Sequence, residues 1–225
     1  MLILYFLKCI SRSLIARSQG ILRKISRKIR NWYYHRKIRN ATTKNISIIS
    51  RNCLGGGIYH ILGLQFLSPT INMVMSQKDF IKFVNNLHYY LSTNLSELDN
   101  ISYEVNYPMA KCDDLIFHLV HYKTFDEAKE KWNKRRLRVN FEHIFVLNTD
   151  QDDYSNAIAK EFQKIRYPKA CLVNSPNKCL DANFYYIPGF ENSKSVGNLL
   201  ERKSNIGSKQ FIEDFDFIAW LQLDK

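Results

Sequence analysis

Short β-branched runs that end in polar tips alternate along this chain with amphipathic stretches opened by capping residues. ISIIS (46–50), HIFVLNTD (143–150) and ACLVNS (170–175) read as strands, joined by PTINMVM (69–75), LIFHLVHY (115–122) and FYYIPGF (184–190). Between them Ser76, three residues before Asp79, opens a helix with Phe80, Phe83, Val84, Leu87 and Leu91 at helical steps. Thr124 and Glu127 repeat the pattern ahead of Phe125, Ala128 and Trp132. Asp152 or Asp153 caps a third helix with Tyr154, Ala157, Ile158 and Ile165 inward, and IEDFDFIAWL (212–221) closes as a helix. Strands alternating with helices predict an α/β, Rossmann-like sandwich with a largely parallel sheet.

That domain occupies residues 43–225 and follows a basic helical arm, residues 1–42. The net charge of +12 suggests a nucleic-acid binder until its distribution is read. Residues 1–45 carry twelve Lys or Arg and no acid, while the remainder carries 21 of each sign. The excess belongs to the arm alone, with no recognition module beside it, so nucleic acid is the least favoured partner. Ile10, Leu14, Ile21, Ile25, Ile29 and Trp32 recur mostly at steps of four and seven, with Arg23, Lys24, Arg27, Lys28 and Arg30 between them. This is an amphipathic helix, interrupted at Gly20, suited to an anionic membrane surface through residues 1–40. An apolar stripe packed on the body and an organelle transit peptide are the alternatives. Five widely spaced cysteines without a CxxC point to a reducing, cytoplasmic compartment and to no zinc site. No apolar run is long enough to span a bilayer.

Ligands of open α/β sheets collect at the carboxyl ends of the strands. Three loops lie there: SRNCLGGG (50–57), NTDQDD (148–153) and NSPN (174–177). The glycines match neither a P-loop nor a dinucleotide fingerprint, yet Gly55 and Gly56 can expose amides to an anion, or simply permit a sharp turn. Cys53, at a strand-to-helix turn, is a candidate nucleophile with His60 seven residues on; a buried free thiol is the bland reading. His118 and His121, three apart in a strand, point to opposite faces and cannot share one metal ion. Asp150 is the more interesting acid of its loop.

Ser50-Arg51-Asn52-Cys53-Leu54-Gly55-Gly56, Tyr59, Leu62-Gly63-Leu64, Ser68-Pro69-Thr70, His118, His121-Tyr122, the 128–132 helix and 145–150 together resemble an uncharacterised bacterial family. Its members are labelled exopolysaccharide or capsular polysaccharide biosynthesis proteins, under a domain of unknown function. The resemblance spans residues 43–222 and departs at Arg51 and Leu54, where members often carry Asn and an aromatic. It implies a place among cell-surface glycan enzymes and supplies no reaction; taken with the basic arm, the leading expectation is a peripheral enzyme at the inner membrane face, transferring a glycosyl or acyl group to a sugar or lipid-linked saccharide. Cys53, His118, His121 and Asp150 would be catalytic, with Asn52, Gly55, Gly56, His60, Ser68 and Thr70 binding substrate. The cofactor is undetermined, and the alternative is a membrane-recruited glycan-binding scaffold of the same pathway.

Overall fold

The computed structural model describes the backbone of residues 2–39, 44–99, 104–204 and 207–222, with side chains from residue 18 onward. The readings made on Ile10 and Leu14 lie outside the described side chains. In chain order the elements are α1 (Leu2–Arg39), β1 (Ser47–Ser50), α2 (Leu54–Leu62), α3 (Gln77–Asn85) and α4 (Leu87–Ser92). A second group follows: β2 (Ser96–Leu98), β3 (Met109–Cys112), β4 (Leu115–His118) and α5 (Phe125–Arg136). The chain closes with β5 (Ile144–Thr149), α6 (Asn156–Gln163), β6 (Lys169–Val173), β7 (Phe184–Tyr186) and α7 (Phe217–Trp220).

β1, β5, β6 and β7 form a parallel sheet in that order, with Ile49 opposite Val146 and Asn148 opposite Cys171. The other described strands of this sheet lie on one side of β1, so a reversal of strand order is not among them. Both faces are covered, as a parallel sheet requires. Ile49, Ile144, Val146, Cys171 and Val173 pack with α3 to α6, while Ile48, Phe145, Leu147, Ala170 and Leu172 pack with α2, α7 and the end of α1. Adjacent residues of one strand thus enter opposite cores. Each aliphatic side chain so buried contributes about 1.5–3 kcal/mol.

Two expected strands go elsewhere. LIFHLVHY ends as a strand at His118 and pairs antiparallel with β3, in a separate sheet ordered β2-β3-β4. PTINMVM is a turn with one bridge, Val74 to His118. Its apolar residues satisfy a buried connector rather than the parallel sheet: Met75 N–H donates to the Arg51 carbonyl at 3.1 Å. The caps at Ser76 and Thr124 are as expected, each hydroxyl accepting the amide three residues on. α6 is capped by Ser155 instead of Asp152 or Asp153, because both aspartates are engaged across the fold (below).

α1 continues through Gly20 without a break. Its end belongs to the body: Tyr34 and Ile38 are buried, Tyr34 stacks on Phe217 at 5.3 Å, and its hydroxyl donates to Glu213 at 3.1 Å. The stripe of Ile21, Ile25, Ile29 and Trp32 faces outward, each 49–61% exposed. Among the described residues no helix is long and apolar enough to cross a membrane.

Candidate functional site

The loops that leave β1 and β5 converge on a cleft of about 470 Å³. Its floor is polar, built by Asn52, Cys53, Thr149 and Gln151; Leu54, Val74, Val120, Leu199 and Leu200 make apolar walls, with His121 at the rim. Asn52 ties the two strand ends together. Its Nδ2 donates to Thr149 Oγ1 at 3.2 Å and Gln151 Oε1 at 3.0 Å, and its Oδ1 accepts the Leu54 amide at 3.1 Å. One of the otherwise unpaired amides at the start of α2 is therefore satisfied from inside the cleft. Gln151 Nε2 donates to the carbonyls of Val196 and Gly197 at 3.0 and 2.9 Å, which brings the 197–200 wall into place.

Beneath this floor lies a buried polar layer. Arg51 is fully buried, and its Nη1 donates to the Met75 carbonyl at 2.9 Å and to Asp152 Oδ2 at 2.8 Å. Gln77 donates to the carbonyls of Thr149 and Gln151 at 2.8 and 2.9 Å, and its amide donates to Asp153 Oδ1 at 3.1 Å. Such buried groups demand partners, so their pairing fixes the loop conformations above them. Asp152 sits at φ 58°, a left-handed conformation Asp tolerates better than most residues.

Of the residues singled out from the sequence, the cleft gathers Asn52, Cys53 and His121. The others serve elsewhere. Gly55 and Gly56 are buried in the first turn of α2, and a Cβ on Gly55 would come 2.9 Å from Ser50 Cβ. Gly55 allows α2 to lie close against β1, while Gly56 faces the Ile71 side chain. Ser68 and Thr70 are fully buried, bonded to each other at 3.1 Å, and Thr70 Oγ1 accepts the Ser50 amide at 3.4 Å. His60 is exposed on α2, edge-on to Phe66. His118 is half-buried, its Nδ1 3.2 Å from the Tyr107 hydroxyl. The strand ends at His118, so His121 follows in a turn and the opposite-face relation expected of one strand does not apply. Asp150 is buried, accepting the amides of Asn174 and Val196 at 3.1 and 2.8 Å and Lys178 Nζ at 2.6 Å. It anchors the loop after β6 and the 190s segment.

Burial pushes the Cys53 thiol up to about 11, so it is protonated at neutral pH. Burial also lowers His118, with the Asp79 and Asp152 charges acting in the opposite direction. Among the described residues no three His, Cys, Asp or Glu side chains cluster as for a metal. Thr149, Gln151 and the 197–200 wall were not singled out from the sequence. The acids of NTDQDD draw attention first, and GNLL carries no chemical signature.

Comparisons with known proteins cover most of the chain. An uncharacterized protein of Haemophilus influenzae is 31% identical over 182 residues, 81% of this chain and 86% of that protein. The family model described as Domain of unknown function (DUF1919) matches residues 21–222, beginning within α1 where the sequence resemblance had been placed from residue 43. The chain belongs to the DUF1919 family.

Proposed function

We propose that this protein is a transferase of cell-surface polysaccharide assembly, acting at the cytoplasmic membrane face on a sugar or lipid-linked saccharide. The observation that carries the reading is the cleft at the carboxyl ends of β1 and β5, which joins Cys53 and His121 across a polar floor. Ligands of parallel α/β sheets collect outside the carboxyl ends of the strands, although no reversal of strand order marks this cleft. The apolar walls suit a sugar ring or acyl chain, and His121 suits a general base. The acceptor hydroxyl oxygen would form the new bond to the donor carbon while His121 takes its proton. The donor's leaving group departs with the electron pair of the broken bond. The outward stripe of α1 supports residence at a membrane, since exposed apolar surface beside Lys28 and Arg36 suits an anionic interface.

Two observations favour a second reading, a glycan-binding scaffold. The Cys53 thiol is held protonated, and Asn52, Thr149 and Gln151 spend much of their hydrogen-bonding capacity on one another. The two readings separate on turnover. Full-length protein is incubated with washed membranes and labelled nucleotide-sugars or acyl-CoA, and label in saccharide is followed. Transfer that drops at least tenfold in His121→Ala or Cys53→Ala supports the enzyme. Absence of transfer, with vesicle binding intact, supports the scaffold.

A further inference from the structure

α1 turns an unusual face toward the body. Arg23, Arg27, Arg30, Tyr34 and Ile38 recur at steps of four and three and share one side of the helix. That side looks onto residues 200–204 and 207–210 across a cleft of about 530 Å³, lined by Arg23, Lys24, Arg27, Arg30 and Arg202. Glu201 is the one acid among its described lining residues. Arg30 donates to the Ser208 carbonyl at 2.7 Å and lies 3.4 Å from Glu213 Oε1. Its Nε is buried with no partner among the described residues. Lys24, Arg27 and Arg202 form no ion pair among the described residues. Lys24, Arg27 and Arg202 thus hold like charges around one cavity, where they repel one another.

We propose that this cleft binds a phosphate or diphosphate group. Guanidinium forks pair with phosphate oxygens through two parallel hydrogen bonds, which a cleft lined by four arginines can supply from several sides. Leu200 lines this cleft and also the one holding Asn52, Cys53 and His121, so the two adjoin. The inference stands whatever chemistry the second cleft performs. The same anion can arrive on a free phosphorylated compound or on a lipid headgroup at a bilayer.

The test uses the full-length chain, the R27Q/R202Q double variant, and Lys160→Gln on α6 as a charge control. Two probes are compared at fixed ionic strength: pyrophosphate by titration calorimetry, and flotation with phosphatidylcholine vesicles with or without phosphatidylglycerol. Pyrophosphate affinity that falls at least tenfold in the double variant and not in the control assigns the site to a soluble phosphate compound. Flotation with phosphatidylglycerol vesicles that is lost in the double variant, without pyrophosphate binding, assigns it to a lipid headgroup. Wild type, control and double variant behaving alike with both probes overturns the proposal. The double variant should melt no lower than the wild type, because it removes repelling charges. Arg202→Gln alone, on an exposed segment, serves the same comparison should the double variant melt early.

Discussion

The three consecutive glycines after Cys53 do different work at one-residue spacing. Gly55 has Ser50 Cβ 2.9 Å from where its own Cβ would stand, and that neighbour is fixed to β1. Gly55→Ala must lift α2 off the strand, and we expect a loss of about 1–3 kcal/mol in urea unfolding. Gly56 would meet only the Ile71 side chain at 3.4 Å. Gly56→Ala should be neutral or stabilising by up to about 1 kcal/mol, since alanine favours the helix. A triplet acting purely as an amide cradle would show no such contrast in stability. Cys53 offers a second test at this scale. A thiol titrating near 11 reacts slowly at pH 8, so iodoacetamide should modify Cys53 more slowly than a free model thiol, as read by peptide mass spectrometry. Faster modification would mean that a base in the cleft activates it.

At the level of elements, the antiparallel sheet and α1 pack on opposite faces of the parallel sheet. His118 ends β4 with its folded-state value lowered by burial, below the ordinary 6.5. As pH falls, the unfolded chain therefore takes up the proton first. Its stability contribution is full above about pH 6.5 and declines through the window between the two values. The melting temperature should drop between pH 7.5 and 5, and His118→Phe should reduce that drop. For α1, the outward residues Ile25 and Ile29 are 49% and 61% exposed. Ile25→Ser with Ile29→Ser should change stability by no more than about 0.5 kcal/mol for each exposed site. Flotation with anionic vesicles should fall several-fold if this stripe is what meets the bilayer; unchanged flotation would remove that role.

Across the whole molecule, what the sequence made legible follows from where each signal is local. β1, β5 and β6 are continuous buried runs, and the caps at Ser76 and Thr124 act within three residues, so both read directly from order and spacing. β2 is Ser-Glu-Leu, three residues without apolar alternation, and only its pairing with β3 makes it a strand. PTINMVM looks like a strand because it is apolar, yet its burial comes from connecting layers. In the cleft, loop position at strand ends is legible, and it points to Asn52 and Cys53, which line the cleft. Asp150 was misleading, because a buried acid satisfied by two amides and Lys178 looks in sequence like one that meets a ligand. α1 shows its amphipathicity in sequence, but which side meets the body depends on Glu213 and Ser208, far along the chain.

Ligand-induced melting shifts test most directly whether the β1–β5 cleft holds the transferred group. Full-length wild type is compared with Val120→Trp, which fills the cleft from a partly exposed wall position. The panel holds nucleotide-sugars, nucleoside phosphates, CoA and acetyl-CoA, each with and without a divalent ion. A donor at about 100 times its Kd adds about 2.7 kcal/mol, or about 5–10 °C for a chain of this size. We expect one donor class to produce such a shift in the wild type and little in Val120→Trp. No shift with any class, or equal shifts in both proteins, would contradict the assignment of this cleft.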